Sequence, residues 1–222
     1  MLNKLLLFAF FLSFFGVSAQ QINPFASDEG MLIFTKEKEP DTFTGSPYYE
    51  DDFQTGVIHD DKGRSLKVQM RYNALEDVVV IRPKPNSEEE YMLPKLKTIT
   101  YELDDYTYFI DRLSTDNGEL EAYFAKFHES ENSSFVGQPK VDVTPAQKAK
   151  TGYDKDKPAN IDVEMVYYIS VDGGTFKEVR LKEKDLEDLF DSDRMEEYFD
   201  DHKIKTEQDV IEMLRFYDSN SI

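Results

Sequence analysis

The residues that most often carry out acid–base, nucleophilic or metal chemistry are scarce in this chain, carboxylates excepted. The three histidines, His59, His128 and His202, are far apart and form neither an HxH nor an HExxH spacing. The sequence therefore predicts no zinc site, and we interpret the histidines as exposed residues at strand and helix ends. The chain contains no cysteine, which excludes disulfides, thiolate metal ligands and a thiol nucleophile.

Serine and carboxylate chemistry also lack a clear motif. No GxSxG occurs, although the members of a Ser-His-Asp triad can be remote in sequence and that arrangement stays open. The 45 Asp and Glu residues form many accidental pairs, so the paired carboxylates of a glycosidase cannot be singled out. Asp154-Lys155-Asp156 and Asp191-Ser192-Asp193 lack the later ligands of a calcium loop. We predict no catalytic residue, no metal site and no cofactor.

Two groups of residues are candidates for binding. Aromatic residues cluster on neighbouring predicted strands: Tyr101, Tyr106, Tyr108, Phe109 and Tyr123. Such a cluster either packs in the core or forms a binding face, because tyrosine joins a large apolar ring to a polar hydroxyl. Arg71-Tyr72-Asn73 lies at a predicted strand end and is a candidate binding corner, although Asn is equally typical of a turn. The candidate site residues are Arg71, Tyr72, Asn73, Tyr101, Tyr106 and Tyr108.

The elements that must position these residues are mostly strands. In Ser65–Asn73, apolar and polar residues alternate, which indicates a strand with one buried face. Val78–Ile81 is apolar throughout and predicts a strand buried on both sides. In Ile161–Val171 the odd-numbered residues are apolar, so we expect Tyr168 and Ser170 on the wet face. Residues 130–158 are poor in apolar side chains and predict a long connection with one strand near Val141–Val143.

The apolar spacing lengthens to about 3.6 residues after Leu181, which is typical of amphipathic helices. Leu186, Leu189 and Phe190 share one face of the first predicted helix. Thr206 followed by Asp209 resembles a capping box, with Asp in place of Glu or Gln. We therefore predict a mainly β (α+β) fold: an antiparallel β meander or sandwich-like sheet with a small C-terminal helical segment.

The N-terminus predicts export. A positive start at Met1–Lys4 is followed by the apolar stretch Leu5–Phe15 and by the small residues Val17-Ser18-Ala19, which together form a secretory signal. The expected organisation is a signal peptide (1–19), a leader (20–44), an antiparallel β domain (45–181) and a helical segment (182–222). The expected location is the periplasm, the cell envelope or the exterior.

The charge of the chain narrows its range of partners. The formal net charge is −19, and no cluster of Lys and Arg is present to bind a phosphate backbone. We predict no nucleic-acid partner and no adsorption to anionic lipid. We also expect no transmembrane segment after signal cleavage. The sequence does not indicate an oligomeric state.

Several short motifs resemble the opening of an uncharacterised family of exported periplasmic or envelope proteins of Bacteroidota. They are Gly45-Ser46-Pro47-Tyr48, Asp52-Phe53, Gly56-Val57, Asp61-Lys62-Gly63 and Arg71-Tyr72-Asn73. The order of a strand meander, a Tyr-rich pair of strands and a helical tail is also similar to that family. The segment 130–158 is longer and more polar than the corresponding segment in that family. The resemblance implies an envelope-associated protein and transfers no catalytic residues.

These observations lead to two functional hypotheses. The first is a non-enzymatic, acidic envelope protein that binds a protein partner or scaffolds an assembly. The alternative is a β protein that binds or hydrolyses a carbohydrate or a peptide. A concave site with converging side chains distinguishes the second from a flat scaffolding surface.

Overall fold

The computed structural model describes residues 36–37, 43–82, 84, 87–149 and 155–219. The predicted signal peptide lies outside the described residues. So does Met31–Phe34, where the apolar run predicts a short strand within the leader. Within the described part, the chain is mainly β, with a curled, predominantly antiparallel sheet and a small C-terminal helical segment. The predicted fold class is confirmed.

In the described residues, the strands of the sheet are β1 Lys36–Glu37, β2 Thr44–Gly45, β3 Gln54–Asp60, β4 Ser65–Asn73, β5 Val78–Arg82, β6 Tyr91–Met92, β7 Ile99–Glu102, β8 Thr107–Thr115, β9 Gly118–Glu129, β10 Ser133–Thr144, β11 Asn160–Val171 and β12 Lys177–Val179. The helices in the same part of the chain are α1 Glu183–Glu187, α2 Asp193–Asp201 and α3 Glu207–Asp218.

The strands follow the order β1-β6-β5-β4-β3-β7-β8-β9-β10-β11-β12, and β2 adds to β11 in parallel. From β7 onward, strands adjacent in sequence are adjacent in the sheet. Connections of two to five residues join them, except that residues 145–159 connect β10 to β11. At the turn after β11, Asp172 and Gly173 both have positive φ, at 51° and 69°, which is typical of a type I′ hairpin.

The connection predicted for residues 130–158 is wrong over residues 133–140, whereas the strand expected near Val141–Val143 is confirmed as the outer part of β10. Ser133–Thr144 forms the full-length strand β10, which pairs with β11 from Ser133↔Val171 to Thr144↔Asn160. On its other edge, β10 pairs with β9 only over Ser134–Gly137. Its outer half therefore lies beyond β9, where polar and exposed side chains are tolerated. The inner half lacks an alternation of apolar and polar residues, because Phe135 and Val136 are both buried, on opposite faces of the sheet.

Two cores share one face of the sheet. The first core fills the curl of β3–β9 with aliphatic side chains and tyrosines, including Ile58, Met70, Ile81, Tyr101 and Tyr123. The second core lies under the helices, where Leu186, Met195, Phe199, Val210 and Leu214 pack against Phe135 and Ile169. The helices thus seal the part of the sheet that the curl leaves open.

A third core lies on the opposite face and corrects the expectation for β11. Tyr168 and Ser170, expected on a wet face, are only 6% and 7% exposed. Tyr168 packs with Leu113, Phe124 and Val136. This face is covered because the chain after β11 turns back to β8: the amide of Phe176 donates to the carbonyl of Ser114 over 2.9 Å. In this part of the sheet, both faces are therefore buried.

Helix α3 begins at the capping box that the sequence predicts. The Thr206 side chain accepts from the amide of Asp209 over 3.2 Å, and the Asp209 carboxylate accepts from the amide of Thr206 over 2.9 Å. This reciprocal capping box confirms the sequence prediction and satisfies two otherwise free amides. In the described part of the chain, no helix has the length and apolar character that crossing a bilayer requires.

Candidate functional site

All four candidate tyrosines lie in the first core. Tyr72, Tyr101 and Tyr108 are 6%, 0% and 3% exposed. The ring of Tyr72 lies 5.1 Å from that of Tyr108, centroid to centroid, and Tyr101 lies 6.2 Å from Tyr123. Burial raises the pKa of Tyr101 to about 12, so its hydroxyl stays protonated at neutral pH. The face that these rings share is interior.

Arg71 and Asn73 connect the N-terminal motifs. The Arg71 guanidinium lies 3.6 Å above the ring of Tyr48 and 4.3 Å above that of Phe53. It donates to the carbonyl of Asp51 over 2.6 Å and pairs with Glu90. Asn73 is 1% exposed, and its side-chain oxygen accepts from the amides of the next turn at 3.0 and 3.1 Å. In this arrangement, the contacts of Arg71 and Asn73 are with other residues of the same chain.

Tyr106, which is only 8% exposed, also borders a concave site on the surface. It lines a cleft of about 290 Å³, here called the acidic aromatic cleft. The residues lining this cleft are Tyr49, Glu50, Asp105, Tyr106, Phe127, Thr206, Glu207, Gln208 and Ile211. Three of these are carboxylates, three are aromatic, and none is Lys or Arg.

Four separate elements bring these residues together. Tyr49 and Glu50 come from the loop between β2 and β3, whereas Asp105 and Tyr106 form the turn between β7 and β8. This turn is held by the amide of Leu103, which donates to the carbonyl of Tyr106 over 2.9 Å. Phe127 belongs to β9 and Glu207 opens α3. Because the capping box fixes where α3 begins, it also fixes where the Glu207 carboxylate stands.

Tyrosines orient one oxygen of each of two carboxylates. Tyr106 donates to Oε1 of Glu50 over 3.2 Å. Tyr167 donates through a short bond to Oε1 of Glu207, and Tyr49 donates to the same oxygen over 3.5 Å. The Oε2 atoms of Glu50 and Glu207 accept no hydrogen bond from the part of the chain that the structure describes. Each carboxylate is therefore fixed at one oxygen and open at the other.

Burial raises the pKa of three groups in or beside the cleft. Desolvation raises the pKa of Glu50, and the nearby Asp105 carboxylate adds to that rise, although the hydrogen bond from Tyr106 opposes it. Desolvation also raises the pKa of Tyr49 and of Tyr167, so both remain hydrogen-bond donors. A cation entering the cleft finds open carboxylate oxygens beside aromatic rings, which is a favourable environment for an organic ammonium or guanidinium group.

A second polar cluster joins the end of α3 to the sheet. Asp218 accepts from Ser133 at 2.8 Å and lies 2.8 Å from Nε2 of His128. The prediction that His128 is exposed is wrong, since its side chain is 12% exposed. Asp218 stands between serine and imidazole, whereas a hydrolytic triad places the imidazole between the other two. This order leaves Ser133 without a general base, so the cluster fastens the helix.

The other two histidines also have partners. His59 lies 2.7 Å from the Glu102 carboxylate, and the His202 ring stacks on that of Tyr198 at 4.1 Å. Among the described residues, no three His, Asp or Glu side chains are placed to hold a metal ion together.

Sequence reasoning did not single out Glu50 or Glu207. Both belong to a chain with 45 acidic residues, and each is significant only because distant segments converge on it. The Thr206–Asp209 capping signal predicts where α3 begins. Nothing in the sequence indicates that this helix end meets the loop at Tyr49.

In comparisons with known proteins, no family model matches the chain, and no curated protein or solved structure matches it significantly.

Proposed function

We propose that this chain is an exported, non-enzymatic envelope protein that binds a cationic side chain of a protein partner in the acidic aromatic cleft. One observation carries the proposal: the cleft combines open carboxylate oxygens with aromatic walls and no basic residue. The N-terminal signal pattern and the family resemblance support two parts of the proposal, export and envelope association.

A Lys or Arg side chain suits this cleft better than a small inorganic cation does. Its aliphatic stem offers apolar surface to Phe127 and Ile211, and its charged end reaches Glu50 and Glu207. A guanidinium or ammonium group beside Tyr106 also gains from the ring quadrupole. The formal charge of −19 adds a long-range attraction that speeds the encounter with a basic segment.

The non-enzymatic part of the proposal rests on the polar groups themselves. The Glu50 and Glu207 carboxylates are held by protonated tyrosines, and Ser133 donates to a carboxylate rather than to an imidazole. These bonds fix side chains for recognition and activate no nucleophile.

Titration calorimetry with trilysine and triarginine peptides tests the proposal, with triglutamate as the probe of opposite charge. We expect the basic peptides to bind and triglutamate not to bind. Added salt should weaken the binding, because it screens charges that lie partly in water. In Glu207→Gln and Glu50→Gln, which keep the side-chain shape, the affinity should fall roughly 10-fold or more, as expected for a lost charge-assisted contact.

Glu119→Gln is the matched control. Glu119 is exposed at the far end of β9, and β8, which separates the two ends, spans roughly 30 Å at the usual rise per residue. The control should bind as the wild type does. Equal affinity for triglutamate, unchanged affinity in both cleft variants, or an equal loss in Glu119→Gln contradicts the proposal.

A further inference from the structure

A second concave site lies on the opposite face of the sheet. The third core ends in an open groove of about 340 Å³, here called the sheet groove. Phe109 and Leu113 of β8, Val136 of β10 and the half-buried Phe176 form its apolar part. The volume falls within the range of small-molecule sites. The groove shares no lining residue with the acidic aromatic cleft.

Polar groups of three kinds surround this apolar part. Ser134 and Ser170 carry hydroxyls, Asn132 carries an amide, and Asp111 and Glu131 carry carboxylates. The Ser170 hydroxyl donates to the carbonyl of Gly174 over 2.7 Å, so its oxygen keeps lone pairs to accept a further bond. The side chains of Ser134 and Asn132 make no hydrogen bond within the described residues. The groove therefore offers both donors and acceptors.

The charge of the groove argues against an anionic ligand. Lys126, the one Lys or Arg among its lining residues, is already paired with Glu129 over 2.5 Å, which leaves Asp111 and Glu131 to repel an anion. A simple cation bound to these carboxylates leaves the donors of the Asn132 amide and the Ser134 hydroxyl without acceptors. A purely apolar ligand leaves the amide and hydroxyl groups without partners, at a cost in free energy.

We propose that the sheet groove binds a neutral saccharide. Sugar hydroxyls donate to carboxylates and accept from the Asn132 amide and the Ser134 hydroxyl, while the apolar C–H face of the sugar ring packs on Phe109 and Phe176. This match of mixed polar groups with two aromatic side chains identifies the ligand class. The proposal is independent of cation binding in the acidic aromatic cleft.

Saturation-transfer difference NMR tests the proposal with maltotetraose, cellotetraose and N,N′-diacetylchitobiose at millimolar concentration. We expect transfer to the ring protons of at least one of the three probes. Phe176→Ala should weaken that binding 10-fold or more. This substitution keeps the hydrogen bond from residue 176 to the carbonyl of Ser114 in β8, because that bond uses the backbone amide and not the ring.

Asn132→Ala provides a variant that removes no core side chain, and it should weaken binding severalfold. Gln69→Ala on β4 is the matched amide control and should bind as the wild type does. Glu207→Gln should also leave saccharide binding unchanged, which separates this site from the cleft. No transfer to any of the three probes, undiminished binding in Asn132→Ala, or an equal loss in Gln69→Ala overturns the proposal.

Discussion

Replacement of Arg71 by Ala is expected to destabilise the fold substantially. The Arg71 side chain is 16% exposed and joins three segments that are distant in sequence. It lies between the rings of Tyr48 and Phe53, donates to the backbone of Asp51 and contacts Glu90 at 3.2 Å. Because the planar guanidinium serves all of these contacts at once, Lys cannot reproduce them.

The magnitude follows from these contacts. A hydrogen bond from a charged group contributes about 1.5–3 kcal/mol, and stacking on an aromatic ring adds about 0.5–1 kcal/mol. Two features limit the loss. Arg82 still pairs with Glu90 at 2.7 Å, so no carboxylate is orphaned, and the buried Nε of Arg71 has no acceptor among the described residues. We expect Arg71→Ala to lower the free energy of unfolding by about 3 kcal/mol and Arg71→Lys by about 2 kcal/mol.

Urea unfolding followed by far-UV circular dichroism measures this change, with the slope of the transition expected to stay constant. Arg112→Ala is the control, since Arg112 pairs with Glu121 on the surface and is 61% exposed. Such a pair lies in water and contributes little to stability. A stability of Arg71→Ala equal to that of the wild type refutes the reasoning, and the guanidinium is then available to a ligand, as the binding-corner interpretation requires.

Two further outcomes concern Glu50 in the acidic aromatic cleft and Asp218 at the end of α3. Glu50→Gln should be more stable than the wild type at neutral pH. Burial raises the pKa of Glu50, so ionisation of this carboxyl lowers the stability of the wild type as the pH rises through that pKa. Urea unfolding measured across pH tests this, and the advantage of Glu50→Gln should disappear below the ordinary pKa of 4.5. Asp218→Ala should lower the free energy of unfolding by about 1–3 kcal/mol, because His128 and Ser133 lose their common partner; a thermal melt identical to that of the wild type contradicts this.

Residues with local signals could be predicted from the sequence. The strand Ser65–Asn73 was predicted with its observed bounds, because apolar residues alternate along it and turns flank it. The capping box of α3 was recognised from two residues three positions apart. In both cases the physical cause lies within a few residues of its effect, so a single sequence contains the necessary information.

Features that depend on the curl of the sheet could not be predicted. The inner half of β10 is buried on both faces, with Phe135 in the second core and Val136 in the third, so it shows no alternation of apolar and polar residues. Tyr168 is buried only because Phe176 returns to β8. The candidate site has the same origin, since Glu50 and Glu207 meet across more than 150 positions of the chain and neither stands out among its acidic neighbours.

Helix α3 links the stability of this fold to its proposed binding function. Its first residue, Glu207, provides a carboxylate of the cleft, its middle residues Val210 and Leu214 seal the second core, and its last residue, Asp218, fastens it to β9 and β10. A ligand that binds only when α3 is docked must stabilise the docked helix, by about 2.7 kcal/mol at a concentration 100 times its Kd. By the same linkage, any change that loosens α3 weakens binding, even when it lies at Asp218 and touches no ligand. The helical segment is therefore part of the proposed binding site as well as a cover for the core.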